Sequence, residues 1–400
     1  MCKHKDQLYP KEFRDDDLII KNLEILLNYF LEKKITPLRF DLFSGEIWDT
    51  SLGKRVFDSI LNAIDNGLHL QAIVIPSNCS FLLSDKETAA IETYMAAFKE
   101  RKVRLVFSCS NDGLYLDMKN RPLNEPSTFQ YEKGTQAYYE RVFEFCKKWN
   151  LGFHPMVAAD GIEEWGQNYI WWEEMLHKYD MDEHPIMYLE VRNDNWTDDK
   201  IIEYLKYLNV SVNYLHEVVY GSSIKALADH LNRKYKRHTQ HYSPLFLTRD
   251  PVDPGCTVHR SLVVRLGDLA IVPCHRTSYD EFVGGNFKVE NGKIVGVTAR
   301  NIQIMNQVWL NNMMGNAKCG KCVYAPYCMK GCYGSQYETN KELLYPCETV
   351  CNLYKAKDIF LYEKYKHIGV LDSLTESGYF KKMIEKVRDT EEFKKWSTIA

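Results

Sequence analysis

The sequence has no apolar run approaching the ~18 residues that a membrane-spanning helix needs, which excludes an integral helical membrane protein. It has no excess of either charge. Its 51 Lys and Arg against 54 Asp and Glu leave a net charge of −3, so composition supplies no footprint for nucleic acid or an anionic membrane. The opening residues, MCKHKDQLYPKEF, are charged and lack the apolar stretch of a secretory signal. No internal repeat is visible. These absences point to a cytoplasmic protein whose thiols stay reduced, with neither a nucleic-acid nor a membrane partner.

What the chain has is cysteine, unevenly spread. Cys2, Cys79, Cys109 and Cys146 are scattered, whereas Cys256, Cys274, Cys319, Cys322, Cys328, Cys332, Cys347 and Cys351 fall within 96 residues. The change in composition marks a boundary near Arg249–Gly255, in the turn-rich stretch TRDPVDPG. In a reducing compartment such a set is expected to hold metal or to sit in a core rather than to form disulfides.

Before that boundary, short apolar runs alternate with longer helical patterns, the signature of parallel strands joined by crossover helices. Strands are expected at 37–43, 70–76, 103–108, 151–157 and 185–191, and helices at about 53–66, 85–101, 134–149, 161–178 and 197–207. Ser84-Asp85-Lys86-Glu87 reads as a helix entry. Five βα units are too few for a closed barrel of eight. Beyond the boundary, Gly267-Asp268 and Asn291-Gly292 each stand between apolar runs and predict two hairpins, elements that bury little core and commonly need a metal staple. From about Tyr354 the charged pattern, including FKKMIEKVRDTEEFKKW, predicts a solvated C-terminal helix.

The stretch CGKCVYAPYCMKGC carries four cysteines in fourteen residues, with intervals of two, five and three. Zinc sites favour paired cysteines two to four residues apart, and only Cys319 and Cys322 fit well. Iron–sulfur cubanes accept looser spacing if four thiolates converge on each, and eight cysteines suffice for two. Inert buried cysteines are the third alternative.

This C-x2-C-x5-C-x3-C run, followed by further cysteines, resembles the SPASM domain of radical S-adenosylmethionine (AdoMet) enzymes. In that family an upstream cysteine pair spans a glycine-containing hairpin, as Cys256 and Cys274 span Gly267, although six residues separate Gly267 from Cys274 where the family usually leaves four. The resemblance implies two auxiliary 4Fe-4S clusters. Cys319, Cys322 and Cys328 would share one with a downstream cysteine, and Cys256, Cys274 and Cys332 would serve the other. Either Cys347 or Cys351 can supply the downstream ligand.

Three segments of the first part agree with such an enzyme. Ser44-Gly45-Glu46 ends a strand where the family has a Gly-Gly-Glu-like motif for the AdoMet ammonium. PSNCSFLL places Asn78 on the family's asparagine, and FSCSNDG offers Ser110 and Asp112, although Asn111-Asp112-Gly113 is also a plain turn. All three stand at C-terminal strand ends, where barrel enzymes keep their chemistry. The family's C-x3-C-x2-C motif, which holds the catalytic cluster after the first strand, is absent. Cys2 precedes the Ser44-Gly45-Glu46 motif by the distance expected for the last cysteine of that motif. The expectation is therefore a chain beginning inside the motif, with Cys2 its remaining ligand.

The expected fold is α/β: a partial (β/α) TIM-like barrel lacking its first βα unit over 1–225, and a linker over 226–255. A small cysteine-rich SPASM domain with hairpins follows over 256–352, and a helical extension over 353–400. The resemblance implies AdoMet and a third 4Fe-4S cluster in the complete enzyme, a peptide or protein substrate, and an electron donor such as flavodoxin or ferredoxin. Relatives that oxidise a cysteine or serine of sulfatases have an aspartate base after the second auxiliary cysteine; here His275 follows Cys274, which argues against sulfatase maturation. His275 is a candidate base with a pKa expected near neutrality. Cys79, Cys109 and Cys146 read as structural. The alternative to an enzyme is a non-catalytic iron–sulfur or zinc protein working in binding or electron transfer.

Overall fold

The computed structural model describes residues 15–43, 46, 48, 51–122, 129–181, 189–190, 194–237, 261–314, 317–325, 332–343, 347–374, 381–382 and 384–400. The chain divides into two compact units, one of 1–110, 125–133 and 257–310, the other of 111–124, 134–256 and 311–400.

In the first unit, helix α1 (Asp16–Lys33) starts where the Asp15 carboxylate accepts the amides of Asp17 and Leu18, and stops where Lys34 turns left-handed. It buries Ile20, Leu23, Leu27 and Phe30, and the sequence reading had no helix there. Strands β1 (Arg39–Asp41), β2 (Ala72–Ser77) and β3 (Arg104–Cys109) form a parallel sheet in that order. They fall within or beside the expected 37–43, 70–76 and 103–108. The crossovers that parallel pairing requires contain α2 (Ser51–Asp65) and α3 (Asp85–Glu100). Ser84 caps α3 by accepting the Glu87 amide, as its sequence signal predicts. Ile73 and Ile75 are fully buried and Val74 partly so, the pattern of a strand covered on both faces.

The same unit holds an antiparallel sheet of β6 (Val263–Arg265), β7 (Ala270–Val272), β8 (Gly285–Glu290) and β9 (Lys293–Ala299). Both expected hairpins are present, the first closing through four residues, 266–269, rather than through Gly267-Asp268 alone. Asn291 and Gly292 have positive φ, 49° and 75°, as a two-residue turn of this hand demands. Among the described residues, a side-chain clasp braces the first hairpin. The buried Arg265 guanidinium donates to Asp268, to Asp280 and to the Ser278 carbonyl at 2.6–2.9 Å. Asn22 on α1 also donates to the Leu266 carbonyl at 2.6 Å.

The second unit contains the short helix α4 (Asp117–Asn120), then α5 (Gln136–Trp149), strand β4 (Met156–Val157), α6 (Trp165–Lys178), β5 (Leu189–Glu190) and α7 (Asp198–Asn213). β4 and β5 pair in parallel. Tyr138, Val142 and Cys146 line one buried face of α5, as their helical spacing predicts. Helix α8 (Ile224–Arg237) occupies the first part of the segment read as a linker, because Leu227, Ala228 and Leu231 recur at helical spacing and are buried. Residues 238–260 lie outside the described ones.

Helices α9 (Ile302–Met314), α10 (Tyr333–Asn340), α11 (Glu348–Ile368) and α12 (Glu391–Ser397) complete the order. The solvated C-terminal helix is corrected. The chain turns at 386–389 before α12, and Ile384, Val387, Phe393 and Trp396 are all buried. The charges obscured a sparse apolar set that packs. Among the described residues no helix is long and apolar enough to cross a membrane.

Candidate AdoMet and iron–sulfur sites

The ends of β1 and β2 meet at one carboxylate. Glu46 Oε2 accepts the Ser77 hydroxyl at 2.9 Å and the Asn78 amide at 2.7 Å. The chain after Glu46 is pinned by Trp48, whose indole donates to Glu87 at 2.9 Å. Asn78 Oδ1 accepts the Ser80 amide, so this side chain also shapes the turn it belongs to. Cys79 follows in left-handed conformation, φ 59° and ψ 27°, and its amide donates to Ser77 Oγ at 2.9 Å. Ser110, at the end of β3, donates its amide to the Ser77 carbonyl at 2.7 Å. Glu46, Ser77, Asn78 and Ser110 thus belong to one run of strand-end turns. Ser44 and Gly45 lie outside the described residues.

His275 stacks on Phe43, ring centroids 4.0 Å apart and planes 11° from parallel. Phe43 directly precedes the Ser44-Gly45-Glu46 motif, so the stack sets the imidazole beside the end of β1. The expectation of a near-neutral pKa is corrected. Burial, with the Arg276 charge adding to it, pushes His275 down to about 4, which leaves the ring uncharged at neutral pH.

Asp112, in the second unit, is fully buried. Its Oδ2 accepts Arg121 Nε at 3.0 Å and its Oδ1 the Met156 amide at 2.7 Å. The neighbouring turn has the plain form the sequence allowed: Asn111 Oδ1 accepts the Gly113 amide, and Gly113 takes φ +94°. A Cβ at Gly113 would come within 2.5 Å of Asn168 and 2.7 Å of Trp172, so glycine is needed both for φ and for close approach. Both Asp112 oxygens are engaged within the protein, which suits a positioning group better than a ligand-binding one. His154 is driven down to about 4 by burial and by the Arg121 charge.

The cysteine segment is described in part. Cys319 and Cys322 flank a tight turn closed by the Cys322 amide donating to the Cys319 carbonyl at 3.0 Å. Cys332 stands at the entry of α10. Cys347 directly precedes α11, and Cys351, whose amide donates to the Cys347 carbonyl at 3.1 Å, lies one turn further along it. Lys318 is ion-paired with Glu348, and the charges of Cys351 and Cys322 help raise its pKa. An ammonium therefore stands within electrostatic reach of both thiols. Cys2, Cys256 and Cys328 lie outside the described residues, and Cys274 belongs to the first unit. Among the described residues, no three His, Cys, Asp or Glu gather as a metal-binding group.

Sequence reasoning missed the stacking of His275 on Phe43 and the meeting of Cys79 with Cys109, whose sulfurs are 2.9 Å apart. The available signal for the second was positional, because both cysteines stand at the ends of neighbouring strands.

No family model matches the sequence, and no curated protein matches it. Among solved structures the chain is similar to native anSMEcpe, an anaerobic sulfatase-maturating enzyme, with bound AdoMet and Cp18Cys peptide. Identity is 14%, the match covers 94% of this chain and 92% of that one, and the TM-score is 0.52. It is also similar to a polyhistidine-tagged form of anSMEcpe with bound AdoMet, at 14% identity, 89% coverage of each chain and a TM-score of 0.50. At that identity the likeness is one of fold, and it extends over nearly the whole chain.

Proposed function

We propose that the chain is a radical AdoMet protein of the SPASM type, related to enzymes that modify peptides or proteins. The observation that carries this reading is the Glu46 carboxylate, held by Ser77 and Asn78 at the strand ends of a chain whose fold matches anSMEcpe over 94% of its length. A half-buried carboxylate anchored by two donors has the chemistry to receive an ammonium group, so the residues present fit the methionyl end of AdoMet. Ser44, Gly45, Asn78 and Ser110 are proposed to contact the cofactor, and Asp112 to fix the backbone at the start of β4.

AdoMet, when bound and reductively cleaved at an iron–sulfur cluster, supplies a 5′-deoxyadenosyl radical that abstracts a substrate hydrogen. The eight clustered cysteines are proposed to hold two auxiliary clusters. The Lys318 ammonium stands within electrostatic reach of Cys322 and Cys351, which supports grouping Cys351 with the first cluster as its downstream ligand. The ligand sets are not assembled among the described residues, and no step is derived through them. His275 stands where sulfatase-maturating relatives have an aspartate base, so the proposed substrate is a peptide or protein other than a sulfatase. A cytoplasmic location and a flavodoxin- or ferredoxin-like donor belong to the same proposal.

A second reading is a cluster-carrying protein that works in binding or electron transfer without radical chemistry. The test common to both is AdoMet binding by the reconstituted chain, measured by anaerobic equilibrium dialysis. The first reading expects binding that Glu46→Ala weakens about tenfold, the loss of one charge-assisted contact. Equal binding by the variant removes the pocket from this carboxylate, and no binding by either protein favours the second reading.

A further inference from the structure

Cys79 and Cys109 are thirty residues apart in sequence and belong to no ligand motif. Parallel pairing of β2 and β3 sets Ser77 opposite Cys109. Two residues beyond Ser77, the left-handed turn at Cys79 brings its sulfur to 2.9 Å from that of Cys109. Carbon atoms in ordinary contact rest about 3.5–4.0 Å apart and sulfur is larger, so the two thiols are held inside normal contact distance. Both residues are fully buried.

Their surroundings give the contact a consequence. The Cys79 amide bonds to Ser77 Oγ, and that hydroxyl donates to Glu46 Oε2. The preceding amide, of Asn78, donates to the same carboxylate oxygen. A shift of the Cys79 backbone is therefore passed to Glu46 through two hydrogen bonds.

We propose that Cys79 and Cys109 form a reversible dithiol–disulfide couple at the strand ends, and that its oxidation reshapes the turn holding Glu46. The oxidant is a small peroxide. One thiol attacks a peroxide oxygen, the O–O bond breaks, and a sulfenic acid and one water form. The second thiol attacks the sulfenic sulfur, the S–S bond forms, and a second water leaves. Two electrons pass from the sulfurs to the peroxide. The hydrogen bond with Cys109, then burial, hold the Cys79 thiol well above its usual pKa, so the step is slow at neutral pH and quickens in alkali. Burial likewise keeps bulky alkylating reagents from the pair in the folded protein.

The test uses the full chain before any iron is added. Reduced protein is treated with hydrogen peroxide, quenched, unfolded, alkylated and digested with trypsin. The expected product is a disulfide-linked pair of peptides carrying Cys79 and Cys109, abolished by dithiothreitol, with Cys146 alkylated throughout. In Cys109→Ser, Cys79 stays alkylatable. In parallel, exchange of the Asn78 amide should quicken about tenfold on oxidation of the wild type and not in the variant. Full alkylation of both cysteines in oxidised wild type, or their pairing with other cysteines, overturns the couple. A disulfide that leaves Asn78 exchange unchanged overturns its link to Glu46. Neither readout needs AdoMet or a cluster, so this proposal and the functional one fail separately.

Discussion

Two sets of cysteines in this molecule contrast in how they come to attention. Those over 319–351 are conspicuous in the sequence; of the described ones, Cys319, Cys322, Cys332 and Cys351 are partly exposed and Cys347 is buried, and two of the clustered eight lie outside the described residues. Cys79 and Cys109 are inconspicuous in the sequence, yet they are buried side by side at the ends of paired strands. The difference is physical. Ligands borne on one loop are close in sequence, so their spacing is readable. Residues on parallel strands are brought together by register across a crossover helix, and no short motif records it.

The contrast predicts different consequences for removing a thiol. Cys322→Ala or Cys351→Ala should lower the iron content of reconstituted protein by about half, one cubane of two, whereas Cys79→Ala should leave iron unchanged. An iron loss for Cys79→Ala equal to that for Cys322→Ala would erase the distinction.

Next in size is the buried carboxylate. Asp112→Ala strands Arg121 and the Met156 amide and should cost about 3 kcal/mol of stability, measured by urea unfolding, with iron per folded molecule unchanged. A loss under about 1 kcal/mol would mean that Asp112 is not the structural clamp described.

Acid should act through His154. Its folded pKa near 4 lies below the ordinary 6.5, so above about pH 6.5 both folded and unfolded forms are neutral and the full stability is present. As pH falls from about 6.5 to 4 the unfolded chain takes up a proton that the folded one refuses, and on the order of 2 kcal/mol is lost. His154→Gln should flatten that part of the stability–pH profile; an unchanged slope would assign the loss to other groups.

The smallest expected effect is at Asn78. Asn78→Ala removes the acceptor for the Ser80 amide and should cost about 1 kcal/mol in the same unfolding experiment. No change would mean that the turn does not depend on this side chain.

Much of the fold was legible because apolar periodicity is a local property. The three strands of the first sheet, the Ser84 helix entry, both hairpin turns and the Cys146 core face all lie where pattern put them. Helix α1 was missed among charged residues, and the C-terminal segment was misjudged because Phe393 and Trp396 are few among lysines and glutamates. At the candidate site, Glu46 and Asn78 were named from a motif, and the structure joins them through a hydrogen bond. The neutral state of His275 was beyond sequence, since it depends on burial in the folded chain, where the ring stacks on Phe43 from more than two hundred positions away.

The central claim, that the clustered cysteines hold iron and sulfide, is tested most directly by anaerobic reconstitution followed by iron, sulfide and zinc analysis of the gel-filtered chain. The account predicts about eight iron and eight sulfide per chain, two cubanes' worth, with no stoichiometric zinc. Stoichiometric zinc without sulfide would contradict it.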